Sequence, residues 1–343
     1  MYRMTRLGLF LLILCAVLSC SDSHRDTHAN AYHITGKTMG TTYNVKLIST
    51  ASVDKDRLKA AIDTKLVAIN QLMSTYIADS ELSRFNQSPA NIPFVLSPET
   101  TLVLSEALRI GELSQARLDV TVGPLVNLWG FGPTKRAEVT PSPAQIEQAK
   151  SITGLDKLVL QDNRLTKTVS GVYVDLSTIA KGYGVDAISE LLQERAISHY
   201  LVEIGGEMRV AGTKLGGEAW RIAIEKPIDD SRSIQRIISI GDNAIATSGD
   251  YRNYYEENGV RYSHLIDAAT GYPIQHNTVS ATVVDVSSMT ADGLATALMI
   301  LSGEQAIALA EANNIAVLLI FKEGAEFVEY QSPAFIQQVS IIK

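Results

Sequence analysis

Both cysteines of the chain, Cys15 and Cys20, lie within its first twenty residues, and this constrains how the rest can hold together. A disulfide framework or a zinc site needs thiols spread through the fold. Beyond Cys20 there are none. The remainder must cohere through a packed apolar core, and its chemistry has no cysteine nucleophile or redox pair to use. With 46% hydrophobic and 20% charged residues over 343 positions, such a core is available and wholesale disorder is excluded. A net charge of −7, with no basic run, is a poor electrostatic match to nucleic acid.

Residues 1–19 read as an address. Arg3 and Arg6 form a positive n-region, and Leu7 to Val17 is an apolar stretch of signal-peptide length, short for a bilayer span. It closes on Val17-Leu18-Ser19-Cys20, which resembles a bacterial lipobox with Cys20 as the lipidated residue, although Leu18 stands where a small residue is more usual. The alternative is an ordinary cleaved signal peptide. Polar Ser21 to Asn30 then reads as a tether, so that 20–30 is lipidated cysteine plus linker and 31–343 one globular domain. No later apolar run reaches the length of a membrane helix, and no fixed-period repeat is visible.

Within the domain, strand and helix periods mix. Thr42 to Ile48 alternates like a strand, and Lys55 to Met73 and Pro98 to Gln115 read as helices. Val172 to Val174 reads as a short strand leading through Asp175-Leu176-Ser177-Thr178 into a helix ending near Leu192, with Ser177 able to cap it. Strands are expected over Tyr200–Ile204, Glu207–Ala211, Arg221–Glu225, Val279–Val286 and Ala316–Phe321, and helices over Met289–Leu301 and Ala306–Asn313. Short turns between neighbouring strands predict antiparallel pairing with helices over one face, an α+β fold. No G-x-G-x-x-G opens a helix after a strand and no G-x-x-x-x-G-K-[ST] occurs, so the standard dinucleotide and triphosphate cradles are missing.

Five segments carry more glycine, polar and aromatic residues than a core needs. They are Lys37 to Thr42 with Met73 to Tyr76; Leu118 to Gly132; Val174 to Tyr183; Ala246 to Tyr254 with Ser263 to Pro273; and Met289 to Ala297. In the last, Asp292 and Thr296 are four residues apart and share a helix face, presenting two hard oxygens suited to Mg²⁺. The plainer alternative is a carboxylate near a helix N-terminus and a packed threonine. The N-terminus of the helix after Thr178 offers N–H groups to a pyrophosphate, with Lys181 a turn further in. Met39 and Tyr76 could sandwich a flat ring, or simply pack. Ser248 and Arg252 could grip phosphate oxygens. Of six histidines, His24 and His28 lie in the tether, and the residues alone leave His264 open between a base or phosphate contact and a satisfied structural histidine.

Taken together and in this order, these segments resemble the ApbE family, the FAD:protein FMN transferases, from about Gly36 to the C-terminus. The resemblance implies an α+β fold related to the tunnelling fold. It implies cleavage of FAD with Mg²⁺, attachment of FMN through its phosphate to a Thr or Ser hydroxyl of an acceptor protein, and release of AMP. Implied acceptors are subunits of membrane redox complexes, such as the sodium-pumping NADH:quinone reductase and the Rnf complex. The metal would be held by Asp292, Thr296 and the backbone carbonyl of Thr178. Some relatives carry an acid where this chain has Ala295. FAD contacts would come from Met39, Tyr76, Arg117, Leu118, Asp119, Asp175, Lys181, Ser248, Arg252 and Ile266. Some relatives carry Glu in place of Lys181. His264 and Asp292 are the implied catalytic groups. Trp129 and Phe131 are assigned to packing near the site, and Gly205-Gly206 to a turn. A Mg²⁺-dependent FAD pyrophosphatase and a non-catalytic lipid-tethered flavin carrier remain alternatives. The lipobox predicts anchoring on the periplasmic side of a membrane. Redox acceptors favour the inner one, although Ser21 rather than an acid follows Cys20.

Overall fold

The computed structural model describes residues 29–132, 140–228, 233–250, 254–257 and 260–343. Its centre is an eight-stranded sheet: β1 (Asn30–Thr38), β2 (Thr41–Ser49), β3 (His199–Ile204), β4 (Glu207–Ala211), β5 (Ala244–Gly249), β6 (Thr278–Asp285), β7 (Ala316–Glu323) and β8 (Glu326–Gln331). Spatial order equals chain order and every pairing is antiparallel. The helices are α1 (Lys55–Met73), α2 (Glu81–Gln87), α3 (Pro98–Leu113), α4 (Gly123–Leu128), α5 (Pro143–Ser151), α6 (Ala180–Gln193), α7 (Ser288–Ile300), α8 (Gly303–Ala312) and α9 (Pro333–Gln338).

Local chemistry explains the ends. The Asp54 side chain accepts from the Arg57 N–H at the start of α1, and Leu58, Ile62, Leu66, Ile69 and Met73 form its buried stripe. α3 stops two residues before the expected Gln115, because Gln115 and Ala116 both take positive φ and Ser114 turns its hydroxyl back onto the Ile110 carbonyl. α8 begins three residues earlier than expected, at a capping box of Ser302 and Gln305 whose S-x-x-Q spacing is plain in the sequence.

The sheet is covered on both faces. Ala281 and Val283 of β6 and Val317 and Leu319 of β7 join the core that contains α7, whereas Val284, Ala316 and Leu318 face the other way. There a three-stranded sheet (Ile222–Glu225, Ile234–Ser239 and Ser340–Ile341) and α9 close a second core around Trp220, Ile238 and Phe335. The expectation of helices over one face therefore describes one side only. α7 packs on α6, α3, β5 and β6 and is buried nearly all round, which its many Ala, Leu and Met residues permit.

Two expectations are corrected. Asn30 is not tether but the first residue of β1, paired with Ser49, so the ordered sheet reaches into the segment assigned to the linker. Val172 to Val174 is not a strand. Its backbone is satisfied by side chains: Asn86 donates to the Val174 carbonyl and accepts from the Val174 N–H, both at 2.8 Å. The buried Lys167 ammonium donates to the carbonyls of Val172, Asn86 and Phe85. A segment whose polar groups are already paired has no need of a ladder. Cys20 and Arg252 lie outside the described residues, as do the signal-like segment and most of the tether. Among the described residues no helix is long and apolar enough to cross a membrane.

Candidate active site

A groove of about 430 Å³ lies by Tyr32, Lys46 and Trp220 and gathers no buried acid–base cluster. A narrower cleft of about 330 Å³ does, and the five segments converge there. One wall is polar and comes from long elements: Lys181 at the start of α6, Glu207 opening β4, Thr247 and Ser248 near the end of β5, and Asp292 and Thr296 on α7. The other is largely apolar and comes from short ones: Val122, Val126 and Phe131 around α4, and His264, Leu265 and Ile266 beyond β5. Tyr76, 71% exposed, also lines the cleft, as do Asp175, Ser177 and Thr178.

The polar wall is held by close helix approach. A Cβ on Gly182 would sit 2.3 Å from the Ser288 carbonyl oxygen, so only glycine lets α6 meet α7 here. At that crossing the Gly182 N–H donates to Asp292 Oδ2 at 3.0 Å. Asp186, one turn further along α6, accepts from the N–H groups of Ser288 and Met289 and from the Ser287 hydroxyl, and is paired with Arg209 at 2.9 Å. It thus caps α7 from a neighbouring helix.

Lys181 lies between two buried carboxylates, 2.9 Å from Glu207 Oε1 and 3.5 Å from Asp292 Oδ2. Burial pushes the Glu207 and Asp292 carboxyls up, and the Lys181 ammonium opposes the rise in each. Burial alone would lower Lys181, but Asp292 and Glu207 more than offset it and the net shift is upward. Glu207 Oε2 is buried without a hydrogen-bond partner, as is the Thr178 hydroxyl. Thr296 and Ser248 share a hydrogen bond at 3.1 Å, one turn along α7 from Asp292. Among the described residues, no group of three or more His, Cys, Asp or Glu side chains could hold a metal ion. A cation here would meet the Asp292 carboxylate and neutral oxygens, which suits a hard ion that keeps waters and phosphates in its shell.

The sequence reading thus placed Tyr76, Asp175, Thr178, Lys181, Ser248, His264, Ile266, Asp292 and Thr296 where they meet. Four others do not line the cleft. Met39 sits at positive φ in the β1–β2 turn and borders a neighbouring groove with Asn70. Arg117 is engaged with both oxygens of Asp267, tying its loop to the 266–273 hairpin. Leu118 is buried in the main core. Asp119 folds back on its own loop, accepting from the N–H and hydroxyl of Thr121. All three shape the 117–122 segment whose end, Val122, reaches the cleft.

Two local expectations change. Ser177 does not cap α6: the cap position is Ile179, without a side-chain bond, and Ser177 is engaged by Asp175 in a turn. Lys181 is in the first turn of α6 rather than a turn further in. Trp129 is fully buried, donating to the Gly271 carbonyl at 2.9 Å, and Phe131 meets the cleft and His264 edge-on at 6.4 Å. Gly205 and Gly206 form the β3–β4 turn, both at positive φ. Glu207 is the site residue the sequence did not disclose. Its position directly after that glycine pair, at the same end of the sheet as the chemistry, was the available signal.

Most of the chain is similar to known proteins. A model of the ApbE family matches residues 39–319. The FAD:protein FMN transferase of Vibrio cholerae serotype O1 is 53% identical over 308 residues, covering 90% of this chain and 92% of its own. Its counterpart from Haemophilus influenzae is 45% identical over 333 residues, covering 95% and 96%. The solved flavin transferase ApbE from Vibrio cholerae superposes with a TM-score of 0.85 at 52% identity, over 90% of this chain and 99% of that one. The ApbE protein from Thermotoga maritima keeps a TM-score of 0.80 at 28% identity, over 90% and 99%.

Proposed function

The chain belongs to the ApbE family, and from that membership we propose that it transfers FMN from FAD to a Thr or Ser hydroxyl of an acceptor protein, releasing AMP. The observation that carries this reading is the polar wall itself. Asp292 and Thr296 on α7, Lys181 on α6 and His264 opposite converge on one cleft, next to an apolar wall fit for a flat ring. The pyrophosphate and the flavin ring of FAD need these two environments.

In the reaction, the acceptor oxygen bonds to the flavin-side phosphorus of the pyrophosphate. The bridging P–O bond breaks, its electrons leave with AMP, and the hydroxyl proton passes to a base. Lys181 offers a full positive charge to the pyrophosphate oxygens. Ser248 offers a hydroxyl. His264 is the group that takes the proton, since an imidazole titrates near neutral pH. Asp175, Thr178 and Tyr76 also line the cleft. The donor set of Asp292, Thr296 and the Thr178 carbonyl fits Mg²⁺, which when bound supplies charge neutralisation at the pyrophosphate and at the departing AMP oxygen. The buried unpartnered Thr178 hydroxyl beside that set supports a polar occupant there.

We place the protein on the periplasmic side of a bacterial membrane, anchored through Cys20, with the inner membrane favoured. The lipobox-like Val17 to Cys20 supports the anchor. Membrane redox subunits are the acceptor class that such an anchor would bring within reach. Incubating the full chain with FAD, Mg²⁺ and an acceptor domain tests the reading by intact-protein mass spectrometry. An acceptor heavier by one FMN, with AMP released, is expected. Free FMN and AMP with an unmodified acceptor would make the protein a pyrophosphatase, and unchanged bound FAD would make it a carrier.

A further inference from the structure

The Lys181 ammonium stands 3.5 Å from Asp292 Oδ2, the carboxylate assigned above to a metal ion. Two cations therefore address one buried acid, and something must decide between them. The shorter contact, 2.9 Å, is to Glu207 Oε1. The Glu207 side chain is only 6% exposed, and its other oxygen has no hydrogen-bond partner, so its charge is directed at Lys181 and the cleft rather than at solvent. Glu207 is itself fixed by the Gly205-Gly206 turn. Gly205, at φ +62, has room for the Lys181 stem: a Cβ there would lie 3.5 Å from Lys181 Cδ and 2.9 Å from Thr41.

We propose that Glu207 is a positioning residue that holds the Lys181 ammonium off Asp292, keeping that carboxylate open to a divalent cation while leaving the ammonium beside the cleft for the pyrophosphate. The proposal rests on the metal assignment made under the transferase reading. Without the Glu207 charge, the ammonium's nearest anionic partner is Asp292, and desolvated opposite charges at this range attract strongly. The lysine then competes with the metal for one ligand. Because the coupling is reciprocal, it is visible in metal binding alone, without FAD, acceptor or turnover.

The test is a titration of the purified full chain with Mn²⁺, a hard cation with similar oxygen preference, read by electron paramagnetic resonance. Wild type, Asp292→Ala, Glu207→Gln, Lys181→Met and the Glu207→Gln/Lys181→Met double variant are compared, with circular dichroism confirming each fold. Glu207→Gln is expected to weaken Mn²⁺ by about tenfold, and adding Lys181→Met to recover about that factor, whereas Lys181→Met alone changes affinity by only about twofold. The mark of the clamp is this non-additive cycle. Equal effects of Lys181→Met in both backgrounds would mean that Glu207 acts only as a nearby negative charge, and would overturn the proposal. Should Glu207→Gln fail to fold, Glu207→Asp withdraws the carboxylate by one methylene and must weaken Mn²⁺ in the same direction; no change would be equally fatal. Wild type and Asp292→Ala separate the two layers. If Asp292→Ala binds Mn²⁺ as wild type does, the metal assignment fails. If it loses binding but the cycle is additive, only the Glu207 inference fails.

Discussion

The two walls of the cleft are built on opposite principles. The α6–α7 wall rests on the main sheet and is fixed by polar contacts between long elements: Gly182 to Asp292, Asp186 to the α7 N-terminus, Lys181 between two acids. The facing wall is made of a six-residue helix and of strand pairs two to four residues long. It is held by a chain of ring contacts, Phe131 to Tyr255, Tyr255 stacked on Tyr262, Tyr262 to Trp129 and Trp129 to Tyr272, with centroids 5.2–5.8 Å apart. Charged chemistry needs donors whose positions are fixed before the reaction begins, which favours the first construction. Recognition of a flat ring needs area more than angular precision, and aromatic stacking supplies that.

The largest change in stability should come from the aromatic wall. Trp129 is fully buried and bonded to the Gly271 carbonyl, so Trp129→Ala should cost about 3–5 kcal/mol in urea unfolding through the cavity it leaves. A cost below about 1 kcal/mol would mean that these rings do not hold the wall. Gly182→Ala probes the other wall. Its Cβ would meet backbone, the Ser288 carbonyl, which cannot rotate away, so about 1–3 kcal/mol of stability should be lost as α6 and α7 part. Transfer should then fall even at temperatures where the variant is folded, because Lys181 and Asp292 separate. Full activity in a folded Gly182→Ala would show that the close helix approach is irrelevant to the site.

The same contrast explains what the sequence disclosed. α1 matches its expected bounds because its apolar spacing and Asp54 cap depend only on neighbours along the chain. The shared helix face of Asp292 and Thr296 was legible for the same reason, as an i, i+4 pair, but spacing alone favoured a structural role and only the family resemblance pointed to a site. Glu207 was not legible: a single acid after two glycines has no period, and only the antiparallel β3–β4 turn carries it to Lys181. Val172 to Val174 misled because β-branched residues were read as a ladder, whereas Asn86, distant in sequence, and Lys167, five residues before Val172, satisfy that backbone. Arg117 and Asp119, read from the family resemblance as FAD contacts, are engaged in this structure with Asp267 and Thr121. Of the small second sheet only the strand at Arg221–Glu225 was expected, because its other strands, Ile234–Ser239 and Ser340–Ile341, are separated by most of the last third of the chain.

The smallest effect concerns Glu106, which accepts from Thr290 near the start of α7 and pairs with Arg109. Burial would raise its carboxyl, but Arg109 and the Thr290 hydroxyl outweigh that and hold it below the usual range. A folded pKa below the unfolded one, about 4.3, gives stability that is present above that value and lost as pH falls through the folded pKa. Wild type should therefore melt slightly higher than Glu106→Gln at pH 7, and the gap should close under acid. A gap that persists or widens at low pH would mean that the residue contributes by packing and not by charge.

The most direct test of the whole account is single-turnover FMN transfer by Asp292→Ala at saturating FAD and Mg²⁺, with the melting curve and FAD affinity measured on the same sample. The account predicts a folded protein that still binds FAD through the apolar wall and transfers at least about a hundredfold more slowly, since the polar wall supplies charge stabilisation rather than ground-state binding. A variant that transfers at the wild-type rate would contradict it. So would one that loses FAD binding and transfer together in proportion, because the two walls would then not divide the work.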